Sequence, residues 1–578
     1  MTSMSSESEQ ALAGPPPRKG FLGALAVFGE RRTLVMLGLG FAAGLPNLLI
    51  FDTLSAWLRT DGLSLATIGF FGLATLTYAL KFVWAPLVDR FPIPGLTRLL
   101  GHRRSWMLVT QALVIAGLCL IAGTNPSEEL GRMALLAVFV GLAGATQDIV
   151  IDAWRIESVG LERQGAMAAS YQWGYRIATI VAGAVPLVLA DSYGWNLSYG
   201  VMAALMAVGV LSVFLAPREH AHKIRPIDTG GLPPNPAAEV VEWIVRGAII
   251  LVACLLAGVG LTGQADLLSA FVSPAFVTAF ESRETGIFLQ FPAVIVGLGL
   301  LVLACLPAPG LRSRPGAYLR SAYGAPFADF FQRFGRLGGV ILALICVYRL
   351  ADFVLNLMNP FYVDLGFSLT EIAEVRKVFG VAMSILGIFL GGLSVTRFGM
   401  MRTMLVGVFM SPLSNLVFAW LATKGHDIPA LMFAIGVDNI AAGYAGTALI
   451  VYMSSLTSVG FTATQYALFS SLYALPGKLL ASQSGRIVEG SARAAEGGGA
   501  LAPLREMVAG VTPGAYVAGA QTAGVSPPSL GAGYIAFFLY STAIGVVAVV
   551  LAFMVAGRHQ RLIDRQAAEE AGRKTASA

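Results

Sequence analysis

The sequence predicts an all-α polytopic membrane protein with fourteen transmembrane helices. Of the 578 residues, 56% are apolar and 12% are charged, whereas charged residues make up about 25% of a typical soluble domain. Runs of about twenty apolar residues, each long enough to cross a bilayer as a helix, recur along the whole chain. The net charge of +6 is carried by the segments between these runs, so it does not indicate nucleic-acid binding.

The first predicted block is a bundle of six spans that covers residues 33–216. It follows a polar, proline-rich tail at residues 1–32, which lacks the short apolar core and cleavage site of a secretory signal and is predicted to be cytoplasmic. The six predicted spans are 33–58, 65–88, 105–123, 132–154, 165–189 and 197–216.

Two linkers and a two-helix hairpin separate this block from the next. A polar linker covers residues 217–243, the hairpin covers 244–307, and a basic linker covers 308–336. The hairpin spans are predicted at 244–262 and 287–307. The hairpin is therefore predicted to be an addition beside the two six-span blocks.

The second block of six spans covers residues 337–556. A long loop at 490–531 lies within it, and a tail at 557–578 follows it. Lysine and arginine are concentrated in one alternate set of loops, which predicts that both termini are cytoplasmic and that the 490–531 loop is periplasmic. The six predicted spans are 337–362, 369–395, 403–423, 430–456, 464–488 and 532–556.

The two six-span blocks are predicted to be a parallel repeat. The sequence SLATI at 64–68 recurs as SLTEI at 368–372, each time at the outer end of the second span of its block. The turn that follows this span contains Asp89-Arg90 in the first block and Thr396-Arg397 in the second. Repeats of this kind are typical of transporters that move one half against the other.

Several charged residues lie inside the predicted spans, although a charge at the bilayer centre costs roughly 2.5–3.5 kcal/mol on insertion scales. Such residues normally face a polar cavity or a partner. Their number predicts a protein that handles a polar solute within the membrane, that is, a transporter. These residues are Asp52, Lys81, Asp148, Arg176, Arg349, Asp352, Lys377, Asp438 and Lys478.

Arg176 is the leading candidate for contact with the solute. Gln172 lies on the same helix face, with Tyr171 and Tyr175 alongside. A guanidinium binds a carboxylate through two hydrogen bonds, and tyrosine offers a stacking face and a hydroxyl. The alternative is that Arg176 only neutralises an intramembrane aspartate. The predicted substrate-binding set also contains Gln147 and, in the second block, Tyr473 and Lys478.

Four intramembrane aspartates are candidates for proton coupling. Asp148 shares a helix face with Asp152 and Arg155, and Asp352 is spaced i, i+3 from Arg349, so that this pair could also be purely structural. The candidates are Asp148, Asp52, Asp352 and Asp438.

The predicted gating residues lie at the cytoplasmic ends of the spans. Asp152 is expected to pair with Arg155, which in turn is expected to reach Asp89. The full set is Asp89, Arg90, Asp152, Arg155, Arg397 and Arg402.

Longer motifs resemble one family of known transporters. The Asp89-Arg90 turn with Gly101, Arg103 and Arg104 resembles the loop signature of the major facilitator superfamily, and the second copy has Thr396 in place of the aspartate. Within that superfamily, the stretches GFAAGLP at 40–46, KFVWAPL at 81–87, TQDIVIDAW at 146–154, GYR at 174–176 and ATQYAL at 463–468 resemble AmpG-type muropeptide permeases.

This resemblance implies a major facilitator fold of two six-helix bundles, here with two extra helices. It also implies proton-driven import of GlcNAc-1,6-anhydroMurNAc peptides across the bacterial inner membrane, peptidoglycan recycling, an indirect role in β-lactamase induction and so in antibiotic resistance. The expected partners are the solute, protons and the lipid bilayer, and the chain is expected to be a monomer.

Several alternatives remain open at the level of the sequence. They are a transporter of another anion, such as a coenzyme A thioester, an efflux pump, and, less well supported, a membrane-embedded sensor or enzyme. No metal-ligand spacing, nucleophile–base pattern or Walker A motif is present, so no metal or cofactor is expected. Sodium is an alternative to the proton as the coupling ion.

Overall fold

The structure is a computed structural model that describes most of the chain, and its regular elements in the described part are helical. The residues it does not describe include the start of the N-terminal tail and the first copy of the SLATI repeat; the side chains of Lys377 and Lys478 also lie outside the description. The residues left out are 1–25, 62–75, 218–230, 263–264, 266–267, 270, 283–285, 307–312, 355–357, 369–370, 373, 459, 482–483, 512–513 and 577–578.

The first block is built from long helices and two broken ones. Pro46 lies near the end of α1, and a π-helical segment, Leu49–Thr53, joins α1 to α2. A 3-10 turn, Lys81–Val83, joins α3 to α4. The helices are α1 (Arg31–Leu48), α2 (Leu54–Thr60), α3 (Leu76–Leu80), α4 (Ala85–Arg90), α5 (Leu96–Leu100), α6 (His102–Ala122), α7 (Leu130–Ser158), α8 (Leu161–Tyr193), α9 (Trp195–Leu205) and α10 (Ala207–Leu215).

Between the blocks, the hairpin helices α11 (Pro236–Thr262) and α13 (Ile287–Cys305) pack against each other, with the short α12 (Pro274–Glu281) between them. A continuous helical segment follows, Arg314–Phe334, which consists of α14 (Arg314–Leu319), a π-helical turn (Arg320–Gly324) and α15 (Ala325–Phe334). We call it the linker helix. It meets the next helix at a bend of 109°.

The second block contains three short helices where its first span was predicted, and a π-helical segment, Glu374–Phe379, that leads into its second. Its helices are α16 (Leu337–Val347), α17 (Leu350–Val354), α18 (Met358–Asp364), α19 (Gly380–Phe398), α20 (Met400–Leu421), α21 (Ile428–Ser455), α22 (Thr462–Ala481), α23 (Ser484–Glu496), α24 (Pro503–Glu506), α25 (Val517–Ala523) and α26 (Pro527–Ala576).

Glycines allow helices within each block to pack closely. In the first block, a Cβ on Gly44 of α1 would lie 2.8 Å from the Cβ of Ala178 on α8. In the second, a Cβ on Gly443 of α21 would lie 2.6 Å from the Ser384 carbonyl oxygen of α19. Both distances are shorter than van der Waals contact, so a side chain at either glycine would push the helices apart.

The two blocks repeat each other in detail at the helices that follow the charged turns. Gly101 precedes α6 with φ 97° and Gly399 precedes α20 with φ 89°. The Ser105 hydroxyl donates to the Gly101 carbonyl at 2.6 Å, and the Thr403 hydroxyl donates to the Gly399 carbonyl at 2.9 Å. This match of backbone and side-chain geometry supports the predicted repeat.

The predicted major facilitator architecture agrees with this helical arrangement, but the count of fourteen spans is not reproduced. Within the described residues, ten helices are long and apolar enough to cross a membrane, or eleven if the bent pair formed by the linker helix and Leu337–Asp352 is counted as one more. The four predicted spans outside the ten are 33–58, 65–88, 337–362 and 464–488. The spans 33–58 and 337–362 are divided into shorter segments, as is the described part of 65–88, and 464–488 contains α22 with Pro476 inside it.

Candidate functional site

Arg176 lies in the middle of α8, between the two blocks. Its side chain is exposed, although the residue sits within a span. The groups that interact electrostatically with it in the described part of the chain are Arg349, Tyr175 and Tyr473. No carboxylate is among them, so the alternative that Arg176 only neutralises an aspartate has no contact in the structure to support it.

Gln172, one turn before Arg176, connects the blocks at the same level. Its amide nitrogen donates to the Thr447 hydroxyl of α21 at 2.6 Å. A Cβ on the neighbouring Gly446 would lie 3.1 Å from Arg349 Nη1 and 3.3 Å from Gln172 Oε1. Because Gly446 has no side chain, the guanidinium of Arg349 and the amide of Gln172 can both lie close to its backbone.

Arg349 is held by groups of the second block. Its Nε donates to Asp352 Oδ2 at 2.5 Å, and its Nη1 donates to the Tyr473 hydroxyl at 3.4 Å. Asp352 also accepts from the Ser411 hydroxyl, and Asp438 accepts from Ser414 at 3.3 Å. The i, i+3 spacing predicted the Arg349–Asp352 pair, but it gave no indication that Arg349 faces Arg176 of the other block.

A second ionic cluster lies within the first block. Lys81 Nζ is 3.7 Å from Asp148 and 4.0 Å from Asp152. Asp152 is also 3.2 Å from Arg155, and the Tyr171 hydroxyl donates to Asp148 at 3.5 Å. All four charged side chains are buried, and two positive charges balance two negative ones. The sequence did not assign Lys81 to this cluster, because a lysine near a span boundary can also reach the interface.

The remaining predicted solute and proton residues are Asp52, Gln147, Tyr175 and Lys478. Asp52 is exposed on the π-helical segment after α1. Gln147 is completely buried, and neither atom of its amide has a hydrogen-bond partner within the described structure. Tyr175 accepts a hydrogen bond from Asn47 at 3.2 Å and lies 6.2 Å from the Tyr171 ring. Lys478 belongs to α22, and its side chain is outside the description.

Asp89 joins the two blocks at one end of the bundle. Its carboxylate accepts hydrogen bonds from the backbone N–H groups of Ala463 at 3.2 Å and Thr464 at 2.8 Å, and from the Thr464 hydroxyl at 2.7 Å. These N–H groups belong to the first turn of α22, where no carbonyl of the same helix can reach them. Asp89 therefore caps a helix of the other block, and Arg103 holds the carboxylate from behind at 2.7 Å.

Arg155 makes its own contacts to the second block. It donates to the Ser454 hydroxyl at 3.0 Å and lies over the Tyr466 ring at 5.2 Å. The predicted Asp152–Arg155 pair is present, whereas the expected contact from Arg155 to Asp89 is replaced by these bonds. The reason is that Asp89 is already bound by Arg103 and the α22 backbone.

The other predicted gating residues differ between the repeats. Arg90 is buried and donates to Ser321 of the linker helix at 2.8 Å. Arg397 lies over the Phe398 ring at 6.0 Å, and Arg402 is exposed. At the position of Asp89, the second block has Thr396, whose hydroxyl donates to the Gly392 carbonyl of its own helix. Among the described residues, therefore, Asp89 of the first block caps a helix of the other block, and its counterpart Thr396 bonds within its own helix.

The hydrogen bonds that join the blocks are unevenly distributed along the bundle. Within the described residues they extend from the middle, where Gln172 meets Thr447 and Trp173 meets the Ile385 carbonyl, to the end where Asp89 meets α22. That end is the one predicted to be cytoplasmic. The described residues contain no group of three or more His, Cys, Asp or Glu side chains that could together hold a metal ion.

Comparison with known proteins gives consistent results. The chain is 28% identical over 465 residues to "Putative transporter AmpG 4" of Rickettsia felis, which covers 80% of this chain and 91% of the relative. It is 29% identical over 468 residues to the "Anhydromuropeptide permease" of Escherichia coli strain K12, with 80% and 76% covered. The solved structure of the proton:xylose symporter XylE has the same fold, with a TM-score of 0.52 at 11% identity, and the match covers 91% of this chain and 95% of that one. The Major Facilitator Superfamily family model matches residues 36–331. The chain therefore belongs to the major facilitator superfamily.

Proposed function

We propose that this protein is a proton-coupled importer of anhydro-muropeptides, GlcNAc-1,6-anhydroMurNAc peptides, from the periplasm to the cytoplasm for cell-wall recycling. It acts in the bacterial inner membrane with both termini in the cytoplasm. The similarity to the Escherichia coli anhydromuropeptide permease supports the choice of solute. The exposure of Arg176 within a span is the single observation that carries the proposal, because an arginine with no carboxylate beside it among the described residues is suited to an anionic solute.

The anion site consists of one guanidinium from each block. Arg349 uses Nε for Asp352 and Nη1 for the Tyr473 hydroxyl, and its guanidinium lies against the backbone of Gly446. A muropeptide carries several carboxylates, so Arg176 and Arg349 can each bind one of them. The repulsion between the two guanidinium groups is relieved when anionic groups lie between them, which favours a solute with at least two carboxylates.

Tyrosines and amides near the two arginines suit the uncharged parts of such a solute. Tyr171 and Tyr175 lie on the same helix as Arg176, and Tyr473 lies beside Arg349. Aromatic faces stack on sugar rings and hydroxyls bond to amides. Gln172 bonds to Thr447 across the interface, so a solute that competes for this amide also acts on the contact between the blocks.

The Lys81–Asp148 pair is the proton site in this proposal. Protonation of Asp148 removes the negative charge that attracts Lys81, which then has Asp152 as its remaining carboxylate contact. Tyr171, which bonds to Asp148, lies on the same helix as Arg176. The protonation state and the solute therefore act on one helix, which gives a physical route for coupling between them.

Coupling to protons also follows from the charge of the solute. Moving one negative charge inward against an inside-negative potential costs about 2.3 kcal/mol per 100 mV. Protons that enter with the solute offset this cost. In this proposal, solute and protons enter from the periplasm while the blocks are joined at the predicted cytoplasmic end.

Binding to purified variants in nanodiscs tests the site. Arg176→Gln should raise the Kd for anhydro-muropeptide by roughly 10- to 100-fold, because a hydrogen bond to a charged group is worth about 1.5–3 kcal/mol. Gly446→Val should also weaken binding, because a side chain there would displace Arg349 Nη1 and Gln172 Oε1, which lie 3.1 and 3.3 Å from the Cβ position. Arg132→Gln is the matched control, since Arg132 pairs with Glu129 on an exposed helix end. An unchanged Kd in folded Arg176→Gln protein would remove Arg176 from the site.

A further inference from the structure

The linker helix crosses the contact at which the two blocks meet. Asp89 bonds to Thr464 across that contact. The next residue on the first block, Arg90, donates to the Ser321 hydroxyl of the linker helix at 2.8 Å and also to its carbonyl. The next residue on the second block, Gln465, donates to the Pro326 carbonyl of the linker helix at 2.9 Å. We call the Asp89–Thr464 contact the gate. The linker helix is thus bonded to Arg90 and Gln465, the residues that directly follow Asp89 and Thr464 in the sequence.

The second half of the linker helix is firmly attached to the second block. Phe330 is 2% exposed and packs against Phe469 with ring centroids 5.4 Å apart. Asp329 accepts from Ser458 at 2.8 Å, and Arg333 donates to the Leu456 carbonyl at 2.9 Å. A buried aromatic contact and several hydrogen bonds make this attachment the stronger one.

The first half of the linker helix is attached to the hairpin and to the first block. Arg314 lies 3.6 Å from Glu239, and the Tyr318 ring lies 6.0 Å from the Trp243 ring, both on α11. The hairpin in turn packs on the first block through an apolar cluster that contains Leu80 and Phe82 of the first block with Ala253 and Leu301 of the hairpin. The hairpin therefore fixes the start of the linker helix beside the gate.

The π-helical turn Arg320–Gly324 lies between these two attachments. It carries two polar contacts to the first block near the gate: Arg90 donates to Ser321, and the Tyr323 hydroxyl donates to the Val83 carbonyl. π-Helical turns are rare and frequently occur at functional sites. When Asp89 separates from Thr464, the linker helix cannot keep both Arg90 and Gln465 bound, because these two residues move apart with the blocks.

We propose that the hairpin and the linker helix together form a clasp that holds the gate closed, and that the clasp opens at the Arg320–Gly324 turn. This assigns a function to the hairpin, which the two six-span blocks do not require. The clasp depends on the movement of one block against the other and not on the identity of the solute. Its failure is therefore distinguishable from failure of the proposed function.

Double electron–electron resonance measures the distance between two nitroxide labels, and applied to full-length protein in nanodiscs it tests the clasp without any solute. Nitroxide labels at Leu99→Cys and Phe398→Cys report the opening, because both residues are exposed and lie between the predicted second and third spans of their blocks. The free cysteines Cys119, Cys254, Cys305 and Cys346 are first replaced by serine or alanine.

Ser321→Ala with Tyr323→Phe removes one side-chain hydrogen bond from each of the two contacts to the first block. Each bond is worth about a fivefold change in an equilibrium, so the ratio of long to short distances should rise roughly 25-fold. Gln332→Ala, an exposed position on the same helix, is the control and should leave the distribution unchanged. A distribution in the double variant equal to that of the control would overturn the proposal.

A cross-link between the first block and the linker helix tests the clasp even if the double variant does not fold. Arg90→Cys and Ser321→Cys, joined by a short reducible bifunctional reagent, should abolish the long distances, and reduction in the same sample should restore them. Long distances that persist after complete cross-linking would show that the gate opens with the linker helix still attached to the first block, and would overturn the proposal.

Discussion

The strongest prediction concerns Asp89, whose carboxylate caps a helix of the opposite block. Asp89→Asn keeps the size of the side chain but removes its charge and one of its two acceptor oxygens. The wild-type carboxylate is 1% exposed and accepts three hydrogen bonds from Ala463 and Thr464. An asparagine can retain part of this cap through its single amide oxygen.

Only interactions between the two blocks at the gate affect the equilibrium between its open and closed states. The Arg103–Asp89 pair lies within the first block, and Arg103 keeps its bond to Glu157 at 2.7 Å after the substitution. Across the gate, the loss of a charge at a helix N-terminus costs about 0.3–2 kcal/mol. The loss of at least one hydrogen bond to a charged acceptor costs about 1.5 kcal/mol or more. A sum of about 2 kcal/mol corresponds to a roughly 30-fold rise in the ratio of open to closed gate.

The labels at Leu99→Cys and Phe398→Cys measure this ratio directly. Asp427→Asn is the matched control, because Asp427 accepts from the Ala430 N–H at 3.0 Å and so caps a helix of its own block. We expect Asp89→Asn to raise the fraction of long distances and Asp427→Asn to leave it unchanged. Equal shifts in the two variants, or no shift in Asp89→Asn, would refute the explanation that the trans-cap holds the gate closed.

Three further predictions follow from the same structure. Arg176→Lys should retain uptake but raise KM by roughly tenfold, because an ammonium cannot bind a carboxylate bidentately; initial rates in proteoliposomes measure this, and an unchanged KM would contradict it. Asp148→Asn should preserve solute binding but lose the acceleration of uptake by an inward proton gradient, and full acceleration in this variant would exclude Asp148 as the proton site. Glu371 and Ser368 form a capping box, with the Ser368 N–H donating at 2.8 Å and the Glu371 N–H donating at 3.2 Å. The Ser368 N–H, with help from His426, holds the pKa of Glu371 at about 2, so the box should be stable above about pH 4.5 and be lost as the pH falls towards 2. Glu371→Ala should abolish this acid-sensitive step in hydrogen exchange of the segment, and an unchanged exchange profile would contradict it.

The architecture could be predicted from the sequence because membrane spans are local. Long apolar runs with few charges predicted the hairpin helices α11 and α13 and most spans of both blocks. The prediction was less accurate where a span is interrupted, as at the π-helical segment after Pro46. Hydropathy averaged over a window does not detect a change in backbone hydrogen bonding, so such a segment is not distinguished from a continuous helix.

The candidate site was predictable only where residues are neighbours along one helix. Asp152 with Arg155 and Arg349 with Asp352 follow from helical spacing. Contacts between distant parts of the chain are not marked by any spacing in the sequence. Asp89 and Thr464 are 375 positions apart, and nothing in the sequence near either residue indicates that a side chain caps a helix of the other block.

Uptake of labelled anhydro-muropeptide into proteoliposomes measures whether the protein transports this solute together with protons. An inward proton gradient is imposed with and without an ionophore that dissipates it, and Arg176→Gln protein is measured in parallel. We predict gradient-dependent uptake by the wild-type protein that the ionophore abolishes and the variant lacks. Uptake that is unaffected by the ionophore would contradict proton coupling, and the absence of uptake by folded wild-type protein would contradict the proposed solute.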